Sequence, residues 1–321
     1  METLQDEWLK RYAQIAEGNR RRFNQLRDVL SRLDARDAQA LPIKGTDFLL
    51  RAYGNLGQRP MYDVDLLIHQ KDLPVIARAL EEAGFQISIP HRGIFSESFF
   101  NDSLDYLSAD RSLGLDLVWD VWYLKAARSL WDRSVTRSTT LGKRRFLHPE
   151  DALLLQMAQV VCRRGYFSRI LVDDVHALVA SERDHIDWER WIRTVKDLGL
   201  TAAVAHALRY IERQIPGQED IPVFVFDRLR PRSLSEICLS RYFRRTVTEQ
   251  PPPSVQYLFP VIATPGWRSK FQLIWRSLYP SEFWIRWRLG KPLSFPQRFL
   301  YVLRPLRLIV KGLGHLIAPA K

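Results

Sequence analysis

Cysteine is almost missing from this chain of 321 residues: Cys162 and Cys238 are the only two, and neither sits in a metal-ligand or redox spacing. A disulfide framework and a cysteine-based zinc site are therefore excluded, and a reducing compartment is expected. No run reaches the roughly 20 mostly apolar residues of a spanning helix. The most apolar late stretch, residues 299–317, is broken by Arg304, Pro305, Arg307 and Lys311. The chain opens with acids rather than an apolar segment, so an export signal is not expected. Its seven histidines form no pair with ligand spacing, and neither Gly-x-Ser-x-Gly nor Gly-x-x-x-x-Gly-Lys-[Ser/Thr] occurs. Hydrolase and P-loop readings thus have no anchor, and a cytoplasmic location is expected.

What is present is the composition of a globular protein, 46% hydrophobic and 26% charged, with a net charge of +12. The charge is unevenly placed. Residues 251–321 contain eleven Lys and Arg against one acid, Glu282, so +10 of the +12 belongs to this stretch. The body is close to neutral, which argues against a long polynucleotide track beside an active site.

Hydrophobic periodicity predicts an amphipathic helix over residues 2–34, a short strand over 40–43, a helix over 47–53 and a polar loop to Pro60. A buried strand at 63–68, a helix at 73–83 with Gly84 as its C-cap, and a strand at 85–89 follow. Further strands are expected at 96–100, 105–109 and 113–122. After Pro149 the pattern turns helical, with segments at 150–162, 168–180, 188–196, 201–213 and 233–244, and one more following Pro216-Gly217. Pro251-Pro252-Pro253 marks a boundary. The expected division is therefore an N-terminal helix (1–38), an α/β core (39–148), a helical domain (149–250) and a basic aromatic tail (251–321).

Two strands carry acids where apolar residues are expected. In Asp63-Val64-Asp65-Leu66-Leu67-Ile68 the two aspartates share one face, because side chains alternate across a strand. Held together they repel unless something neutralises them, and a divalent cation with hard oxygen ligands does so. Two strand-end aspartates facing water would look the same. In Leu115-Asp116-Leu117, Asp116 interrupts a second apolar run and, on a neighbouring strand, would complete a three-carboxylate cluster. Such a cluster suits phosphoryl transfer, and Asp116 could also deprotonate an attacking hydroxyl. Asp120 on the same face is its competitor. Leu41-Pro42-Ile43-Lys44-Gly45-Thr46 runs from a strand through a Gly-containing turn into a helix, a geometry that favours phosphate. Thr46 could cap that helix or bond a phosphate oxygen, Lys44 adds positive charge, and Arg59 could reach the same phosphates.

These residues together resemble the polymerase-β-type nucleotidyltransferase superfamily, and more closely its bacterial uncharacterised nucleotidyltransferase branch. The pattern of that branch is matched by Ile43-Lys44-Gly45, Tyr53, Arg59, Asp63-Val64-Asp65-Leu66-Leu67-Ile68, Leu115-Asp116-Leu117 and Pro149-Glu150-Asp151, with a later helix contributing Asp174. The resemblance covers roughly residues 35–215. It implies an α+β fold, a nucleotidyltransferase core of a small mixed sheet flanked by helices, followed by a mostly helical region. It also implies transfer of a nucleoside monophosphate from an NTP, ATP first among them, to a hydroxyl-bearing acceptor with release of pyrophosphate. Asp63, Asp65 and Asp116 would hold Mg²⁺, two ions by analogy with Mn²⁺ as a substitute, and Asp116 would be third ligand or base. Lys44, Gly45, Thr46 and Arg59 would hold the nucleotide. Two departures stand out: the interval from Thr46 to Asp63 is long, and Ala158-Gln159-Val160-Val161 replaces a stretch where relatives carry a His.

The tail interleaves Trp267, Phe271, Trp275, Trp284, Trp287 and Tyr301 with Arg and Lys. Packing on the helical region, contact with an anionic lipid surface, and nucleic-acid binding all suit that mixture, in that order. The tail also gives rise to a second functional reading: a catalytically silent nucleotidyltransferase fold that docks a membrane or partner.

Overall fold

The long first helix forms where the apolar spacing predicts it. Helix α1 (Leu4–Asp34) has Asp6 and Glu7 in its first turn and Arg32 in its last, charges that complement the helix dipole. The computed structural model describes residues 4–88, 103–121, 127–159, 161, 167–214, 220–247, 261–264, 266–279, 294 and 302–303. Strand β1 (Ala40–Ile43) leads directly into α2 (Lys44–Arg51), then come β2 (Asp63–Ile68), α3 (Leu73–Glu82), β3 (Phe85–Ile87), β4 (Ser103–Ser108) and β5 (Gly114–Val118). The expected strand at 96–100 lies outside the described residues.

The five strands form one mixed sheet in the order β1-β2-β5-β4-β3. Only β2 and β5 run parallel; the other three pairings are antiparallel. Strand alternation divides the sheet into two faces. Val64, Leu66 and Ile68 of β2, Leu115 and Leu117 of β5, and Leu104 and Tyr106 of β4 pack with α1 and α3 in one core. Leu41 and Ile43 of β1, Leu67 of β2 and Val118 of β5 face the other way, into a second core built with the later helices. The second face is therefore apolar along one half. Its other half carries the aspartates.

A helix α4 (Ala127–Asp132) and a two-stranded hairpin, β6 (Val135–Thr139) and β7 (Gly142–Phe146), were not anticipated by periodicity. Strand β6 is rich in Thr and Ser and β7 in Lys and Arg, and Phe146 is their one buried residue, so the apolar alternation that marks a strand is lacking. The helical region follows as expected: α5 (Pro149–Gln159), α6 (Arg169–Glu182), α7 (Trp188–Asp197), α8 (Thr201–Gln214), α9 (Val223–Arg228) and α10 (Leu234–Thr246). Every residue of α5 is buried, making it the centre of this region. Helix α11 (Trp267–Leu278) begins the tail. The architecture is α+β. Among the described residues no helix is long and apolar enough to cross a membrane.

Candidate active site

The strand register brings the predicted carboxylates to one place. Asp65 of β2 and Asp116 of β5 are direct partners across the parallel ladder, and Asp63 lies opposite Gly114 on the same face. Asp63 is exposed, Asp65 is buried and Asp116 is half-buried. Asp120 falls beyond Val118, the last residue of β5, while Asp116 lies within the paired stretch. One more acid shares this face: Asp105 of β4 is the antiparallel partner of Asp116 and is exposed. Sequence reading placed Asp105 on a strand but not at the site, because cross-strand register is non-local information.

The carboxylates are aligned but not gathered. Among the described residues no group of three His, Cys, Asp or Glu side chains is gathered as they lie. Lys44 stands beside the carboxylates. Its Nζ makes an ion pair with Asp65 Oδ1, and both side chains are about nine-tenths buried. The lysine reaches that position from a left-handed backbone conformation, φ +54°, at the first residue of α2. Left-handed φ is uncommon for any residue with a side chain, and such outliers concentrate at functional sites.

The turn itself differs from expectation in two respects. Helix α2 starts at Lys44 rather than at 47, so Thr46 is inside the helix and is no cap. Its side chain is buried, and Oγ1 donates to Met61 Sδ at 3.4 Å. Gly45, expected to admit a phosphate, is closely approached by Arg59. A Cβ at position 45 would lie 2.6 Å from Arg59 Nη1 and 2.9 Å from Cζ. Gly45 is not at positive φ, so its value here is the missing side chain.

Arg59 in turn is held from α6 rather than turned to solvent. Its Nε and Nη2 donate to the two carboxylate oxygens of Asp174, at 2.6 and 2.9 Å, and Nη1 donates to the Pro60 carbonyl at 3.1 Å. Asp174 also accepts from Tyr53 OH at 3.0 Å and from Gln156 Nε2 at 3.0 Å, and Gln159 Nε2 donates to Gln156 Oε1 at 3.1 Å. Burial pushes the Asp174 carboxyl up, against the hydrogen bonds and charge of Arg59. Burial pulls Arg59 down, but its bonds and charge pairing with Asp174 win, and the net shift is upward. The Tyr53 phenol is held well above its ordinary value, chiefly by burial and then by the charge of Asp174. A guanidinium bound through two parallel N–H groups is fixed in direction. Tyr53, Arg59 and Asp174, three residues of the family-like pattern, thus form one buried clamp beneath the Gly45 turn. Gln159 extends this clamp through Gln156.

Sequence reasoning missed Asn19 of α1. Its Nδ2 donates to the carbonyls of Leu56 and Arg59, both at 2.7 Å, and its Oδ1 accepts from Met61 N at 3.3 Å. The long interval between Thr46 and Asp63 is therefore tied to the N-terminal helix. The Pro149-Glu150-Asp151 element is a second junction: Glu150 accepts from Arg133 at 2.7 Å, from Arg190 at 2.6 and 3.0 Å, and from Asp187 N at 3.0 Å. Asp151, pushed up to about 6 by burial, accepts from Arg133 at 3.0 Å.

A family model described as uncharacterised nucleotidyltransferase matches residues 1–215 of this chain. No curated protein matches the sequence significantly. Among solved structures, the antibiotic-resistance factor ANT(2'')-Ia is similar at a TM-score of 0.41 and 14% identity, covering 61% of this chain and 96% of that one. The lincosamide antibiotic adenylyltransferase LnuA, in its lincomycin-bound form, gives 0.36 and 13%, covering 48% and 94%. An antigenic nucleotidyltransferase-like protein from Paracoccidioides brasiliensis gives 0.38 and 13%, covering 65% and 92%. Structural likeness at these scores is too distant to assign a substrate or a residue role.

Proposed function

The chain belongs to the family of uncharacterised nucleotidyltransferases, so nucleotidyl transfer is its chemistry, and from that premise we propose that it moves a nucleoside monophosphate from a Mg²⁺-bound NTP to an acceptor hydroxyl. The observation that carries the proposal is the register of Asp65 against Asp116, with Asp63 two residues earlier on the same face. All three supply oxygen only, from two adjacent strands, and this donor set fits a hard divalent cation. Asp63, Asp65 and Asp116 would hold it. Bound there, Mg²⁺ supplies positive charge to the phosphates and favours ionisation of a nearby hydroxyl.

The chain's own residues do the rest. Lys44 and the first N–H groups of α2 orient the triphosphate, because a helix start carries unsatisfied donors and partial positive charge. The side chain of Thr46 points to Met61, so position 46 contributes through its backbone. Arg59 acts from beneath: it holds the turn at Gly45 in place. Asp116 takes the proton of the acceptor hydroxyl as its oxygen attacks the α-phosphorus. The new P–O bond forms, the bond to the β-phosphate breaks, and pyrophosphate leaves. In this reading residues 39–148 hold the nucleotide and residues 149–250 meet the acceptor.

Purified protein with Mg²⁺ and labelled NTPs, ATP first, should transfer label to a component of a cell extract. Asp63→Asn should reduce the transfer at least about a hundredfold, the scale lost when a preorganised charged group is removed from a transition state. Wild-type protein that binds no NTP by calorimetry in the presence of Mg²⁺ would sink the proposal. The tail adds a location, by contact of residues 251–321 with anionic lipid. The observation favouring it is the exposed aromatic face of α11, which carries Trp267, Phe271 and Trp275.

A further inference from the structure

Away from the aspartates, α8, α9 and α10 enclose a cleft of about 510 Å³. Three guanidiniums line it: Arg209 from α8, Arg230 just after α9, and Arg244 from the last turn of α10. Arg209 is half-buried, and burial pulls its pKa down, as do the neighbouring charges of Arg244, Arg230 and Arg213. Among the described residues no ion pair joins Arg209, Arg230 or Arg244 to a carboxylate, although Glu212 and Asp227 also line the cleft. The crowding of like charges around Arg209 costs free energy that an anion in the cleft would recover.

The other walls narrow the class of anion. Leu208, Phe226, Pro231 and Ile237 supply apolar surface, and Ser240 adds a hydroxyl. Glu212 and Asp227 accept hydrogen bonds and repel a second large negative group. Cationic donors together with carboxylate acceptors and a ring in one cleft match a molecule with a phosphate group and a hydroxyl-bearing body. The volume lies within the range of small-molecule sites. Arginine favours phosphate through paired N–H donors.

We propose that the α8–α9–α10 cleft binds a phosphorylated, hydroxyl-rich small molecule of the sugar-phosphate class, with Arg209, Arg230 and Arg244 on the phosphate and Glu212 and Asp227 on the hydroxyls. This site is separate from the three aspartates and does not rest on the nucleotidyl-transfer reading. The same chemistry occurs in free sugar phosphates and in the ribose-phosphate part of a nucleotide, and the probes must tell them apart.

The test uses the full chain in EDTA, which removes divalent metal, at low ionic strength. Glucose 1-phosphate, AMP, inorganic phosphate and free glucose are titrated by calorimetry. Glucose 1-phosphate should bind saturably and more tightly than inorganic phosphate, with free glucose not binding. Stronger binding of AMP than of glucose 1-phosphate would move the occupant to the nucleotide class and overturn the sugar-phosphate assignment. Arg209→Gln and Arg244→Gln should each weaken glucose 1-phosphate about tenfold or more, the loss typical of one charged hydrogen bond. Lys44→Gln should leave it unchanged. Neither arginine variant should lower the melting temperature, since each removes a repelling charge. If Arg209→Gln unfolds the protein, Arg244→Gln and the exposed Arg230→Gln carry the test. Absent saturation with glucose 1-phosphate, affinity equal in wild type and the Arg209→Gln/Arg244→Gln double variant, or loss in Lys44→Gln alone each overturns the proposal.

Discussion

A lysine at positive φ carries a conformational cost, because glycine would adopt that backbone without strain. Lys44 has it at the first residue of α2, and its ammonium group meets Asp65. One residue thus makes the turn and supplies the countercharge beside the aspartates. In the proposed reaction an incoming triphosphate competes with Asp65 for that ammonium, which frees the carboxylate as the nucleotide arrives. His206 is a second residue whose environment makes a measurable statement. Burial among Phe167 and Phe243 lowers its pKa to about 4; the Val247 carbonyl at 3.3 Å opposes the shift, and Arg209, Arg213 and Arg244 add to it. The unfolded chain takes up a proton near the ordinary value of 6.5 that the folded chain refuses until about 4. Stability from this group is therefore intact above pH 6.5 and lost as pH falls through that window. Asp47 and Asp151 work oppositely: burial raises each to about 6, so the folded state protonates first and gains stability as pH falls through 6. The wild-type curve alone mixes these signs. The difference between wild type and His206→Gln separates them, and between pH 7 and pH 5 it should change by about 2 kcal/mol in favour of the variant. Urea unfolding at both pH values reads it; a difference independent of pH would refute the assignment.

Helix α2 and its supports show what an element inherits from distant parts of the chain. Its start depends on Gly45, whose empty side has Arg59 against it, and Arg59 depends on Asp174, 115 residues later. Gly45→Ala should therefore destabilise by about 1–3 kcal/mol, the usual range for overpacking a filled space. Gly18→Ala is the comparison on α1, where the nearest atom to a new Cβ is the mobile end of Arg22 at 3.0 Å. There alanine should be neutral or stabilising, since it favours the helix by about 1 kcal/mol over glycine. Guanidinium unfolding of the two variants gives the contrast, and equal midpoints would show that Arg59 is not pressed against the turn. This dependence also marks how far the sequence could be read. The apolar spacing in α1, the alternation in β2 and β5 and the helical pattern after Pro149 in α5 are local, and each predicted its element. The shared face of Asp63 and Asp65 was legible for the same reason. The Lys44–Asp65 pair, the Arg59–Asp174 clamp, and Asp105 opposite Asp116 depend on register and packing between distant segments, which no local pattern encodes. The buried partner of Arg59 was out of view for the same reason. The β6–β7 hairpin escaped because it has little apolar alternation to detect.

At the scale of the whole molecule the charge is divided between a near-neutral body and a basic tail, and α11 belongs to the tail. Leu273 on one side of α11 is buried, and Lys270 Nζ donates to the carbonyls of Val261 and Ile262 at 3.0 and 2.7 Å. Trp267, Phe271, Ile274 and Trp275 recur at helical spacing on the exposed side, with Trp267 73% and Phe271 59% accessible. Several large apolar side chains on one exposed helix face mark an interaction surface. Aromatic rings suit the headgroup level of a bilayer, and a stretch with eleven Lys and Arg against one acid suits anionic lipid. Full-length protein should therefore sediment with vesicles of mixed phosphatidylcholine and phosphatidylglycerol, and much less with phosphatidylcholine alone. Near 1 M salt, where screening acts within about 3 Å, most of that preference should vanish. The Trp267→Ala/Phe271→Ala/Trp275→Ala variant should lose binding while keeping its melting temperature, because these side chains contribute little to the fold. Binding that persists in the triple variant would assign the lipid contact elsewhere, and no binding by wild type would leave packing as the role of the tail. Label transfer, measured beside vesicle binding, separates an active enzyme from a silent scaffold. Asp63→Asn should bind them as wild type does in either case, and only the enzyme reading requires that it also lose label transfer.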